Sequence, residues 1–279
     1  MGPHLYRRIW PSESPVEARR TFDLDAAVRG RLTVRSRSRL DVLLAAEGYT
    51  QILGGPSELA AQIYQSPPNS DLLPIEFLAP LTGRRQQATI QIQKGVTAQA
   101  LRYLNILLEN SFEVRLSAEA VTGSVGELTV RIPIPGAYVF HRGLIHPRGI
   151  SRRRGKDLYY IFETWASLPG QRDRIVAEIS QMRDRYPRAW YRRFRSNLES
   201  LFASTAGEGV LLVFEQYEAR EPREIAHQRI YQAFRALLRS LPHECTTPRR
   251  RAMPVAVRAM ITAARPYSNA RWSSATHPL

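Results

Sequence analysis

The stretch Arg20-Thr-Phe-Asp-Leu-Asp-Ala-Ala-Val28 decides how the rest of the chain is read. From Thr21 it alternates and then turns apolar, which predicts a β-strand over 21–28 that stops near Arg29-Gly30. On a strand, side chains two apart share a face, about 7 Å apart along the backbone, so Asp23 and Asp25 form a carboxylate pair. Carboxylate oxygens suit hard divalent cations. A pair of such ions can activate an attacking oxygen and stabilise a leaving one in phosphoryl or nucleotidyl transfer. The plainer alternative is a solvated strand end.

A third acid extends the pattern. Glu76 lies in Leu73-Pro-Ile-Glu-Phe-Leu-Ala-Pro-Leu81, an otherwise apolar segment that predicts another strand. An unpaired buried carboxylate costs several kcal/mol, so Glu76 must be at an edge, paired or bound to metal. If the two strands are neighbours, Asp23, Asp25 and Glu76 make one metal-binding, catalytic cluster. Arg20, Arg142 and Lys156 are cations suited to phosphate, arginine as a planar fork and lysine as a point charge. Asp157, beside Lys156 at a helix start, suits the helix dipole and joins them as a candidate substrate-binding residue. His141 and His146 are five apart, not the spacing of a zinc-binding helix. Walker, dinucleotide and nucleophile-elbow glycine patterns are absent from the sequence. The aromatic run Tyr159, Tyr160, Phe162 and Trp165 reads as core packing rather than a base-stacking surface.

Outward from these residues, the first twenty positions hold three prolines and predict an irregular lead-in. A helix over 40–47 ends at Gly48, and strands are expected over 58–65, 73–81 and 88–93, with a turn at 66–70. An amphipathic helix is predicted over 98–110, then strands over 112–116 and 128–134. Beyond Pro135, helical spacing recurs over 136–145, 155–168, 172–186, 188–203 and 225–241. The pattern gives an αβ domain over 1–134, a helical domain over 135–245 and a basic, disordered tail over 246–279.

Forty Lys+Arg against 25 Asp+Glu give a net charge of +15 over 279 residues. Six arginines and no acid follow Cys245, and without them the chain still carries +9. Such a field attracts polyanions, whether nucleoside triphosphates or nucleic acid. One cysteine excludes an internal disulfide and a cysteine-based zinc site. No apolar run is long enough to span a membrane or serve as a leader, so the expected location is the cytoplasm with no membrane partner.

In order and spacing, six stretches resemble a bacterial nucleotidyltransferase-fold family related to the AbiEii type of abortive-infection toxin. They are Arg20-Thr-Phe-Asp-Leu-Asp25, Arg31-Leu-Thr-Val-Arg-Ser-Arg37, Ile75-Glu-Phe-Leu-Ala-Pro-Leu-Thr-Gly83, Leu101-Arg-Tyr-Leu104, Pro135-Gly-Ala-Tyr-Val139 and Lys156-Asp-Leu-Tyr-Tyr-Ile-Phe162. The resemblance implies an α+β fold: a polymerase-β-like core of mixed sheet and helices, followed by a helical C-terminal region. It implies transfer of a nucleotide from an NTP to an acceptor with two Mg²⁺ ions, held by Asp23, Asp25 and Glu76. The acceptor would be tRNA, another RNA or a protein side chain, with the basic surface favouring RNA, and a cognate antitoxin would be a protein partner. The family's glycine-containing helix start, some ten residues before the aspartate pair, is replaced here by Trp10-Pro-Ser12. Either the chain start is truncated or this member has lost the site. The alternative reading is a catalytically degenerate relative that binds RNA or a protein through its basic surface.

Overall fold

Strand β4 (Ile75–Pro80) organises the sheet, because it is paired along both edges. On one edge it runs parallel to β1 (Leu24–Ala27). On the other it meets β3 (Gln62–Gln65) antiparallel and then β6 (Val96–Leu101) parallel. β2 (Thr50–Leu53) extends the sheet beyond β3, and β5 (Thr89–Gln93) pairs with β6 across the Gly95 turn, whose φ of 80° suits glycine. The result is a six-stranded mixed sheet. The computed structural model describes residues 6, 9–10, 24–30, 32, 39–53, 62–70, 72–81, 83, 89–116, 128–146, 151–217 and 222–242, without the side chains of 151–154.

One sheet face is apolar. Phe77 and Ala79 of β4 are buried with Tyr64, Ile92, Val96, Ala98 and Leu44, the last from helix α1 (Leu40–Ala46). Ile75, Ala26 and Val28 pack against the same cluster. Tyr64 meets Phe77 edge-on at 5.7 Å, a geometry aromatic quadrupoles favour.

The remaining helices are α2 (Leu104–Glu109), α3 (Pro135–Ile145), α4 (Ser151–Ser167), α5 (Arg172–Arg185), α6 (Arg188–Leu201), α7 (Glu208–Phe214) and α8 (Arg223–Ser240). α6 buries a stripe at helical spacing, Tyr191, Phe194, Leu198 and Leu201. α3 is buried nearly all round and lies against α4, α5 and α6, so it is the hub of the helical layer. The fold is therefore α+β, a mixed sheet followed by a helical C-terminal region. By compactness the chain divides into Met1–Asn110 with Pro133–Leu241, and Ser111–Ile132 with Pro242–Leu279. Of the second unit, β7 (Ser111–Leu116) pairs with β8 (Leu128–Pro133) as a two-stranded sheet.

Two expectations are corrected. The helix over 98–110 is strand β6 followed by the short helix α2. Ala98 to Leu101 fits either state by composition, and pairing with both β4 and β5 decides for strand. Tyr103, with φ of 64°, then turns the chain before α2. The lead-in is not wholly irregular: Tyr6 and Ile9 are helical, between the prolines at 3 and 11. Tyr6 is buried and its hydroxyl donates to the Pro133 carbonyl at 2.8 Å, while its ring meets Trp10 and Tyr138. The sequence pattern does not mark β2 or α7, since each is short and β2 leaves Ile52 exposed at the sheet edge. The tail over 246–279 lies outside the described residues.

Candidate active site

Alternation along β4 and β1 sends the acids to the face opposite the apolar core. Ile75, Phe77 and Ala79 face that core, and so do Ala26 and Val28. Glu76 and Asp25 therefore point the other way, because successive strand residues take opposite faces. In the parallel register Asp25 is the partner of Glu76, one strand spacing away, about 4.8 Å. Both are half-buried. β4 is an inner strand, so Glu76 is not an edge glutamate pointing into solvent. Asp23 and Arg20 lie outside the described residues.

Helices α3 and α4 supply the opposing charge. The Asp25 carboxyl lies below its ordinary value: burial raises it, and nearby positive charge, of which Arg142 and Lys156 supply the smaller part, lowers it further than burial raises it. Arg142 is anchored: its Nη1 donates to Asp157 Oδ1 at 2.7 Å, and both side chains are mostly buried. Its guanidinium also lies 5.1 Å from the Tyr138 ring centre and 5.9 Å from that of Tyr160. Burial disfavours the charged guanidinium, yet Tyr138, Asp157 and Asp25 more than offset this and raise its pKa further. Lys156, exposed, sits with Nζ 5.6 Å from the Tyr160 ring centre. The structure thus gathers Asp25, Arg142, Lys156 and Asp157 electrostatically, with Glu76 fixed beside Asp25 by register.

Asp157 has a role that the sequence left open. It holds Arg142, so it is a positioning residue for that cation. Tyr138 was not singled out as a site residue. Its spacing of four from Arg142 on one helix was the available signal, since such residues stack on one face. Tyr159, Tyr160, Phe162 and Trp165 are all buried, which agrees with core packing. His141 and His146 are buried too, and burial pushes the His141 pKa down to about 3, leaving the ring neutral.

The start of α3, and with it the placement of Arg142, depends on Glu178 of α5. Pro135 occupies the first turn of α3, and the next amide, Gly136 N–H, donates to Glu178 Oε2 at 2.7 Å. Arg174 Nε donates to Glu178 Oε1 at 2.9 Å. Burial raises the Glu178 pKa in spite of both bonds. The fold therefore prefers the protonated carboxyl. Its contribution to stability is full below the ordinary value of 4.5 and is lost as pH rises through the raised one. The melting-temperature difference between wild type and Glu178→Gln is expected to move in the variant's favour from about pH 4 to about pH 7. Thermal unfolding of both proteins across that range measures it.

The donor set suits Mg²⁺: Asp25 and Glu76 offer only hard oxygens, on adjacent strands, with Asp25 held ionised. Among the described residues no group of three or more His, Cys, Asp or Glu side chains forms a metal site. Asp23 would have to supply the third ligand.

Paired carboxylates beside cations are groups that could hold the metal ions and phosphates of a phosphoryl-transfer reaction. A family model described as Nucleotidyltransferase matches residues 5–178. The match takes in the sheet, the carboxylate pair, Arg142, Lys156 and Asp157, and the chain belongs to that nucleotidyltransferase family. It also begins at residue 5, so the lead-in with Tyr6 and Trp10 is part of the family's domain. No curated protein and no solved structure matches the chain. Among the described residues no helix is long and apolar enough to cross a membrane.

Proposed function

We propose that the protein transfers a nucleoside monophosphate from an NTP to a hydroxyl group of an RNA, tRNA being one candidate. The observation that carries this reading is the register of Asp25 with Glu76, facing the cations Arg142 and Lys156. In the reaction the acceptor oxygen bonds to the α-phosphorus, the bond from that phosphorus to the bridging oxygen breaks, and pyrophosphate leaves. The acceptor's proton passes to a base, and Glu76 would act as that base or position it. Mg²⁺, bound by Asp25, Glu76 and Asp23, would neutralise the phosphates and polarise the reacting oxygens. Arg142 and Lys156 offset the repulsion between a polyanionic triphosphate and the carboxylates.

Because Asp157 fixes Arg142, Asp157→Asn should act mainly on nucleotide binding. The expected result is a rise in KM for NTP of about tenfold with a smaller change in kcat. Stability should fall by about 2 kcal/mol, as for other bonds to charged groups. Initial rates against NTP concentration and a melting curve measure both.

The direct test is incubation with each α-phosphate-labelled NTP, Mg²⁺ and total RNA, followed by denaturing electrophoresis. Label on RNA supports the reading. Label on no acceptor, with NTP unconsumed, favours a degenerate protein that binds without transferring. The AbiEii-like reading adds a toxin role and a cognate antitoxin, for which growth arrest on expression that requires Asp25 is the expected sign.

A further inference from the structure

The segment Arg183-Asp-Arg-Tyr-Pro-Arg-Ala-Trp-Tyr-Arg-Arg-Phe-Arg195 holds six arginines and one acid. It lies past residue 178, where the family match ends. It forms the end of α5, the corner at Tyr186-Pro187 and most of α6. Tyr191 and Phe194 point into the core, which leaves Arg185, Arg188, Arg192 and Arg193 exposed. Arg185 and Arg195 pair with Glu109 and Glu199. Even with these two acids counted, arginines outnumber carboxylates by six to three.

Between the arginines lies a set of half-buried rings. Tyr186 and Trp190 stack, with centres 5.5 Å apart and planes at 15°, and Tyr103 meets Trp190 edge-on at 4.7 Å. Polar bonds fix the set. Tyr186 Oη donates to Glu109 Oε2 at 2.7 Å and accepts from Asn110 Nδ2 at 2.9 Å, and Arg193 Nη1 donates to Tyr103 Oη at 3.1 Å. None of the exposed large aliphatic side chains among the described residues lies on this strip. The surface offers positive charge and π-faces. Charge that tracks a backbone, interleaved with rings that stack unpaired bases, is how proteins hold single-stranded nucleic acid.

We infer that the Tyr103–Tyr186–Trp190 rings with Arg188, Arg192 and Arg193 bind a single-stranded segment of RNA. The choice of RNA over DNA rests on the acceptor proposed above; the stacking and charge argument does not depend on it. The test is fluorescence anisotropy with a short labelled single-stranded RNA, without NTP or Mg²⁺. Arg188→Gln/Arg192→Gln should weaken binding about tenfold and flatten the slope of log K against log salt by about 1.4, two phosphate contacts on a single strand. Arg223→Gln/Arg239→Gln, an equal loss of exposed charge on α8, should change little. Trp190→Ala should cost about tenfold on a strand with bases and far less on an abasic strand. Equal losses from the two arginine pairs would overturn the assignment. So would an abasic strand or an RNA duplex bound as tightly as the single strand, or single-stranded DNA bound more tightly. RNA binding by a protein that transfers nothing would leave this inference standing and remove the catalytic reading. Transfer to another acceptor without RNA binding would overturn this inference and the choice of RNA as acceptor, and leave nucleotidyl transfer itself standing.

Discussion

Asp25→Asn should lower nucleotide transfer by at least about a thousandfold, equivalent to about 4 kcal/mol of transition-state stabilisation. The change replaces an ionised oxygen donor by a neutral amide at the site that faces Arg142 and Lys156. Glu76→Gln, one strand spacing away in register, should have a loss of the same order. Because the two residues act as a unit, the double variant should be little worse than either single one. Neither change empties a packed volume, since both side chains are half-buried. Melting temperatures should therefore stay within a few degrees of wild type. Labelled-NTP transfer beside thermal unfolding separates loss of chemistry from loss of fold.

The second large effect is on stability and comes from α3. A Cβ on Gly136 would lie 2.4 Å from Glu178 Cβ and 2.8 Å from the Ile175 carbonyl oxygen. A Cβ on Gly143, seven residues along the same helix, would lie 2.6 Å from the Phe194 ring. The two glycines let α5 and α6 approach the helix that carries Arg142. The Ile175 oxygen is backbone and Phe194 is fully buried, so neither can yield cheaply. Overpacking of this kind costs about 1–3 kcal/mol per site, and Gly136→Ala/Gly143→Ala should lower the melting temperature by on the order of 10 °C. Transfer per folded molecule should fall as well, because displacement of α3 moves Arg142 away from Asp25. A melting curve and initial rates on the double variant test both parts.

The strands that carry the candidate site were legible in the chain, because they rest on short-period patterns. The alternation over 21–28 and 73–81 located β1 and β4, and apolar neighbours made Glu76 conspicuous. What the sequence could not supply was pairing. That β1 lies against β4 with Asp25 opposite Glu76 is a long-range contact, about fifty residues apart in the chain. The segment from Ala98 shows the same limit in reverse: its composition suits a helix, and pairing on two sides makes it β6. Nor does spacing show that Asp157 would take Arg142 as its partner, a contact across two helices. The prolines that flank the lead-in mask its helical turn: none lies between Tyr6 and Trp10, and the Trp10 amide donates to the Tyr6 carbonyl at 2.8 Å.

The most direct test of the central claim is a thermal shift of the whole chain with Mg²⁺ and each of the four NTPs, beside Asp25→Asn/Glu76→Gln. A ligand at a hundred times its dissociation constant stabilises a protein by about 2.7 kcal/mol, several degrees for a chain of this size. The account predicts such a shift with at least one NTP, dependent on Mg²⁺ and lost in the double variant. A shift of equal size in the double variant, or none in wild type with any nucleotide, would contradict it.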